Sequence, residues 1–79
     1  MNDYRIAWCP VCRAGWVIVV RDTKTKMLFL YCKECESEWD EPLAIIEHAI
    51  PTREKYGLAE VANLEEIRQR GWHKFILED

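Results

Sequence analysis

The stretch from Cys9 to Cys35, CPVCRAGWVIVVRDTKTKMLFLYCKEC, decides the fold of this chain. It begins and ends with a C-x2-C pair, and nineteen residues separate the two pairs. A C-x-x-C turn directs two thiolates at one metal, and two such turns complete the tetrahedral four-sulfur site that zinc favours. Because the pairs can meet only if the chain between them runs out and back, the spacing predicts a hairpin closed by one structural zinc ion.

The residues between the pairs have the pattern of a β-hairpin. Residues 16–20 and 27–31 are rich in β-branched, aliphatic and aromatic side chains, and residues 21–26 between them are polar. The sequence Glu36-Ser37-Glu38-Trp39-Asp40 then alternates as a strand would, which predicts a short third strand with Trp39 covering the hairpin. We therefore expect a β-hairpin of two to three antiparallel strands.

A first helix is predicted to start near residue 40 or 41, with Pro42 in its first turn. Leu43, Ile46 and Ile50 give it an apolar stripe at helical spacing, and Pro51 ends it.

The second helix has clearer ends. Asn63 and Glu66 have the spacing of a capping box, and Gly71 suits the left-handed position after a helix. Residues 72–77 are predicted to form a short strand or an extended tail. The expected fold is a small α+β domain spanning residues 1–79, with a hairpin half at 1–41 and two helices packed on it at 42–79.

The four cysteines could instead form disulfides, the usual choice of small secreted domains. Three observations favour a metal: residues 1–5 do not resemble a signal peptide, each pair has the spacing of a shared metal site, and no further cysteine exists. Iron in the same cage and a redox-active pair remain alternatives. Since no segment is apolar enough to span a membrane, a reducing cytoplasm is the expected location.

Charge is distributed unevenly along the chain, whose net charge is −3. Residues 1–33 carry six basic and two acidic side chains, whereas residues 34–79 carry five basic and twelve acidic ones. An acidic surface attracts basic partners, so we expect a partner protein to bind an acidic set made of Glu36, Glu38, Asp40 and Glu41. The alternative is a nucleic-acid surface made of Arg21, Lys24 and Lys26 at the hairpin tip, with Arg13 at the base of the hairpin.

Catalysis is not expected from this sequence. Four thiolates saturate a zinc ion and leave no position for water or substrate, and we find no nucleophile–base pair. The signature of zinc deaminases is also missing, because His48 is followed by Ala49-Ile50 and not by x-Glu. We therefore expect neither an enzyme nor a small-molecule substrate.

The two cysteine pairs around a hairpin resemble the zinc-ribbon superfamily over about residues 7–40. Many zinc ribbons have glycine directly after the second cysteine of each pair, where this chain has Arg13 and Glu36. Glu36-Ser37-Glu38-Trp39, together with the closing run 71–76, is similar to a group of small uncharacterised bacterial proteins, some of which resemble immunity proteins of toxin systems. That resemblance implies a single-domain, non-enzymatic protein that binds and masks a toxin, and an acidic chain fits a basic toxin.

Overall fold

The computed structural model describes residues 3–52 and 54–77, so the predicted domain limits at residues 1 and 79 lie outside it. It contains one antiparallel sheet and two short α-helices, which confirms a small α+β fold. No helix in the described part of the chain has the length and apolar content needed to cross a membrane. In chain order the elements are β1 (Arg5–Trp8), β2 (Trp16–Asp22), β3 (Leu28–Cys32), β4 (Glu38–Trp39), α1 (Pro42–Glu47), β5 (Ala59–Val61), α2 (Leu64–Gln69) and a 3-10 turn (His73–Phe75).

The sheet is built around the predicted hairpin of β2 and β3. These strands pair from Val17 opposite Cys32 to Arg21 opposite Leu28. The predicted third strand is also present, since β4 pairs with the outer edge of β3. The other edge of β2 is shared by β1 near its start and by β5 near its end. We did not predict β5, because three residues are too few to show an alternating pattern.

Successive side chains of a strand point to opposite faces of the sheet. The hairpin therefore places apolar side chains on both faces, and other parts of the chain cover each face. Val17, Val19 and Leu30 face the main core, where Trp39 from β4 and Ile67 from α2 pack against them. Residues from both predicted halves of the chain therefore share one hydrophobic core, and the C-terminal half also supplies a strand.

A smaller cluster lies on the opposite face and consists of Ile18, Val20 and Phe29. Tyr56 stacks on Phe29 with ring centroids 4.0 Å apart. The loop that carries Tyr56 is held by Asp22, whose carboxylate accepts a hydrogen bond from the Gly57 N–H at 3.0 Å. This loop therefore covers a sheet face that would otherwise expose three large apolar side chains.

Helix α1 begins as predicted, with Pro42 at its start, but it ends at Glu47 and not at Pro51. Ala49 adopts a left-handed conformation with φ of 56°, and its N–H bonds to the Ala44 carbonyl. The helix buries Pro42 and Ile45, whereas Leu43 and Ile46 of its predicted apolar stripe are exposed, and the third residue of that stripe, Ile50, lies beyond the end of the helix.

The second helix agrees closely with the sequence. Asn63 and Glu66 form both hydrogen bonds of the capping box, and Gly71 follows the helix with φ of +75°. The prediction of a strand or extended tail after it is wrong in part, because the chain makes a 3-10 turn at His73–Phe75. Trp72 is buried, and its N–H bonds to the Ile67 carbonyl, so the segment first folds back on α2; at its end the Leu77 N–H donates to the carbonyl of Arg5 in β1, at 2.8 Å.

Candidate metal centre

Strand pairing brings the two cysteine pairs to the same end of the sheet. Trp8 pairs with Trp16 on one side of β2, and Cys32 pairs with Val17 on the other. Cys9 directly follows β1 and Cys32 is the last residue of β3, so both cysteine turns leave the sheet beside the start of β2. The apolar strands thus determine where the four thiols meet.

The four sulfur atoms all lie within 4.8 Å of one another. The Sγ atoms of Cys9 and Cys35 are 3.7 Å apart, as are those of Cys12 and Cys32. With Zn–S bonds near 2.3 Å, a tetrahedral site places its sulfurs about 3.8 Å apart, whereas a disulfide needs about 2.05 Å. The geometry therefore fits a shared metal ion, with zinc as the best chemical match, and it does not fit two disulfides.

The two turns have the same backbone design. The residue after each second cysteine is left-handed, with φ of 54° at Arg13 and 62° at Glu36. Its N–H donates to the carbonyl of the first cysteine of its pair, at 3.1 Å for Arg13 and 2.8 Å for Glu36. These are the positions where many zinc ribbons have glycine, so the chain adopts that backbone despite two side chains that disfavour it.

Burial and hydrogen bonding shift the pKa values of Cys32 and Cys35 in opposite directions when no metal is bound. Burial raises the pKa of Cys32 to about 12. Burial also acts to raise the pKa of Cys35, but hydrogen bonds from Ser37 and the neighbouring thiols outweigh it and lower the value to about 6. A tetrathiolate site needs all four protons removed, so metal binding to this cage releases protons and weakens in acid.

The structure divides the predicted acidic set. Glu36 and Glu38 line one cavity of about 560 Å³, whereas Asp40 and Glu41 line a different one of about 490 Å³. The expectation of an exposed carboxylate is wrong for Glu38, which is only 5% exposed. Its carboxylate accepts hydrogen bonds from the Thr52 hydroxyl at 3.2 Å and the Lys55 N–H at 3.1 Å, so it holds the following loop in place.

Asp40 is also engaged within the chain. Its carboxylate pairs with Lys55 at 2.7 Å and accepts a hydrogen bond from the Tyr56 hydroxyl. The Lys55 and Tyr56 hydrogen bonds lower the pKa of Asp40, so it stays ionised at neutral pH. Of the four predicted partner-binding residues, Glu36, Asp40 and Glu41 are exposed, and Asp40 shares its carboxylate with Lys55 and Tyr56.

The predicted basic set is also dispersed. Lys24 and Lys26 lie exposed at the turn between β2 and β3, while Arg13 lies in the first cysteine turn at the other end of the hairpin. Arg21 points to the C-terminal half, where it pairs with Glu60 at 3.1 Å and with Glu66. Arg21 thus ties β2 to β5 and α2, and the hairpin tip keeps two of its three expected positive charges, Lys24 and Lys26.

Two aromatic side chains next to the cysteine turns are exposed, and the sequence did not identify them as surface residues. Trp8 and Trp16 pack edge to face, with centroids 4.9 Å apart, and the Arg5 guanidinium lies 4.8 Å above the Trp16 ring. Both rings remain partly exposed, whereas Trp39 and Trp72 are buried. The only sequence signal was the number of tryptophans, which did not show which of them face outward.

Comparison of the chain with protein-family models, curated protein sequences and solved structures gave no match. A hypothesis about the function of this protein therefore rests on its fold and on the chemistry of its side chains.

Proposed function

We propose that this protein is a non-catalytic module that binds another protein, with a zinc-ribbon-like hairpin stabilised by one structural zinc ion. The four-cysteine cage is the observation that carries the proposal, because its sulfurs lie within 4.8 Å of one another. A zinc ion held by four thiolates has no position left for water or substrate, so its role is to hold the fold together. The reduced thiols that it needs are best maintained in a compartment such as the cytoplasm.

Zinc is preferred over iron in this proposal, although the same four thiolates bind either metal. Two identical backbone turns, each carrying one cysteine pair at the end of the same hairpin, support the zinc-ribbon description. Elemental analysis of purified protein decides between the metals. A four-sulfur iron site would also give strong visible absorption, which zinc does not.

The charge distribution supports a basic protein as the partner. Residues 34–52 contain six acidic side chains and no Lys or Arg. Complementary charge raises association rates and selects the sign of the partner's surface. A toxin-neutralising role is the specific form of this proposal, in which the acidic chain covers a basic toxin and blocks its action.

Co-expression with a toxin encoded next to this gene tests that role. The proposal predicts that the wild-type chain restores growth and co-purifies with the toxin. The double variant Glu36→Lys/Glu41→Lys should weaken both effects, while Glu65→Lys, a reversal of an exposed charge on α2, should not. If the double variant protects as well as the wild type, the acidic surface is not the binding surface.

Nucleic acid is the competing partner. Binding through Lys24 and Lys26 would weaken steeply with salt and would disappear in a Lys24→Ala/Lys26→Ala variant. Salt-dependent binding to generic DNA or RNA that needs these lysines would replace the protein-partner proposal.

A further inference from the structure

Two side chains of α1, Leu43 and Ile46, and a third just after the helix, Ile50, are apolar and exposed. Leu43, Ile46 and Ile50 are 43%, 63% and 73% exposed, and we call these three residues the α1 patch. Single exposed apolar residues are common on protein surfaces, whereas adjacent ones are typical of an interaction site, and Leu43 and Ile46 are neighbours on the helix surface at i, i+3 spacing. The patch is therefore a candidate interface, separate from the metal cage.

The patch has no part in holding α1 to the sheet. The helix packs through Pro42 and Ile45, which are buried, and Ile45 belongs to the main core cluster. At about 100° per residue, Leu43 lies about 160° around the helix from Ile45 and Ile46 lies about 100° from it, so neither shares the side of the helix that Ile45 occupies. Because folding does not use these side chains, their apolar character is available for binding.

The charge around the patch indicates what covers it. Glu47 lies one turn after Leu43 on the same face, and Glu41 is the residue that caps the helix; both are exposed. An acidic border repels nucleic acid and anionic lipid surfaces, and it attracts a basic protein. An apolar centre with a charged border is also the usual layout of a protein interface.

We propose that the α1 patch is the docking surface for a basic amphipathic helix of a partner protein, whose apolar side chains lie on Leu43, Ile46 and Ile50 while its Lys or Arg side chains pair with Glu41 and Glu47. This inference rests on the proposed function as a protein-binding module, and it specifies the surface and the chemistry of the partner. Binding of an amphipathic helix through apolar anchors at helical spacing is a common recognition mode.

The test uses the zinc-loaded full chain and a synthetic helical peptide of about five turns, with leucine on one face and lysine on the other. The proposal predicts that Ile46→Ser weakens peptide binding about tenfold, the effect of removing one central interface anchor. Leu58→Ser is the matched control, because Leu58 is 81% exposed but lies outside α1. Circular dichroism should show that both variants fold.

Two further measurements separate charge from apolar contact. Glu47→Lys should weaken binding and reduce its dependence on salt, and a peptide with glutamate in place of lysine should bind much more weakly. Equal effects of Ile46→Ser and Leu58→Ser, or equal binding of a peptide with scrambled leucines, would overturn the proposal. Sedimentation that showed dimers of the chain, lost in Ile46→Ser, would also overturn it, because a second copy would then cover the patch.

The outcome for α1 can be separated from the outcome for the proposed function. If Ile46→Ser leaves toxin protection intact while Glu36→Lys, which keeps Glu41 and Glu47 in place, abolishes it, the docking surface is not on α1 and the protein-binding role stands. If neither variant affects protection and the peptide does not bind, both proposals fail.

Discussion

Arg13 and Glu36 occupy the most strained backbone positions of the cysteine turns, because each is left-handed without being glycine. That conformation costs a non-glycine residue roughly 1–2 kcal/mol. Glycine would remove the strain but lose about 0.5–1 kcal/mol through the greater freedom of the unfolded chain. We predict that Arg13→Gly and Glu36→Gly each raise the free energy of unfolding by about 0.5–1 kcal/mol, measured by denaturant titration of the zinc-loaded protein.

The neighbouring Ala14 provides the control for this prediction, because its φ is not positive. Ala14→Gly should therefore destabilise the protein. If all three glycine variants destabilise it equally, the left-handed strain is not the property that distinguishes Arg13 and Glu36.

Asp22 is the second residue with an effect on the whole fold. Its carboxylate accepts backbone N–H bonds from Lys24 at 2.8 Å, Thr25 at 3.0 Å and Gly57 at 3.0 Å. These bonds lower the pKa of Asp22, so its stabilising effect is complete at neutral pH and is lost as the pH falls through the folded-state value.

We predict that Asp22→Asn lowers the melting temperature at pH 7 by at least about 5 °C, since the amide that replaces one oxygen cannot accept the Gly57 N–H. Thr23→Ala is a suitable comparison in the same turn. A melting temperature unchanged by Asp22→Asn would show that the hairpin turn and the loop at 54–58 do not depend on this carboxylate.

At the scale of elements, the two helices differ in how well the sequence predicts them. The ends of α2 are encoded locally, by the side chains of Asn63 and Glu66 and by the glycine at position 71, so they could be predicted without knowing the fold. Helix α1 has apolar residues on both sides, and periodicity alone cannot show whether Ile45 or Ile46 meets the core. Which of the two isoleucines is buried depends on how α1 packs against β4, and this long-range contact cannot be predicted from the local sequence.

The two isoleucines of α1 give a direct test of this packing. Ile45 is 8% exposed and contacts the core, whereas Ile46 is 63% exposed. We predict that Ile45→Ala costs about 2–4 kcal/mol of unfolding free energy and that Ile46→Ala changes it by less than about 0.5 kcal/mol. Equal losses in denaturant titrations would mean that Ile46 contributes to the packing of α1 as much as Ile45 does, and the α1 patch would then not be available for binding.

At the scale of the whole molecule, the cysteine cage could be predicted and the way the halves join could not. Two C-x2-C pairs indicate a metal through local spacing, and the structure brings their sulfurs together. The joining of the halves depends on long-range contacts, such as Arg21 with Glu60 and Glu38 with the loop after Thr52. Each of these charged side chains meets its partner only after folding. From the sequence alone, Arg21 and Glu38 were therefore assigned to binding surfaces, whereas in the structure they form contacts within the chain.

The central claim is that one zinc ion in the four-cysteine cage holds this fold together, and native mass spectrometry combined with chelation tests it most directly. Structural zinc contributes roughly 10–16 kcal/mol in small finger domains, comparable with the whole stability of a chain this size. We predict one zinc per chain, loss of zinc in Cys9→Ser and Cys32→Ser, and unfolding of the sheet when a strong chelator removes the metal. A zinc-free chain that keeps its circular dichroism spectrum and melting temperature would contradict the account.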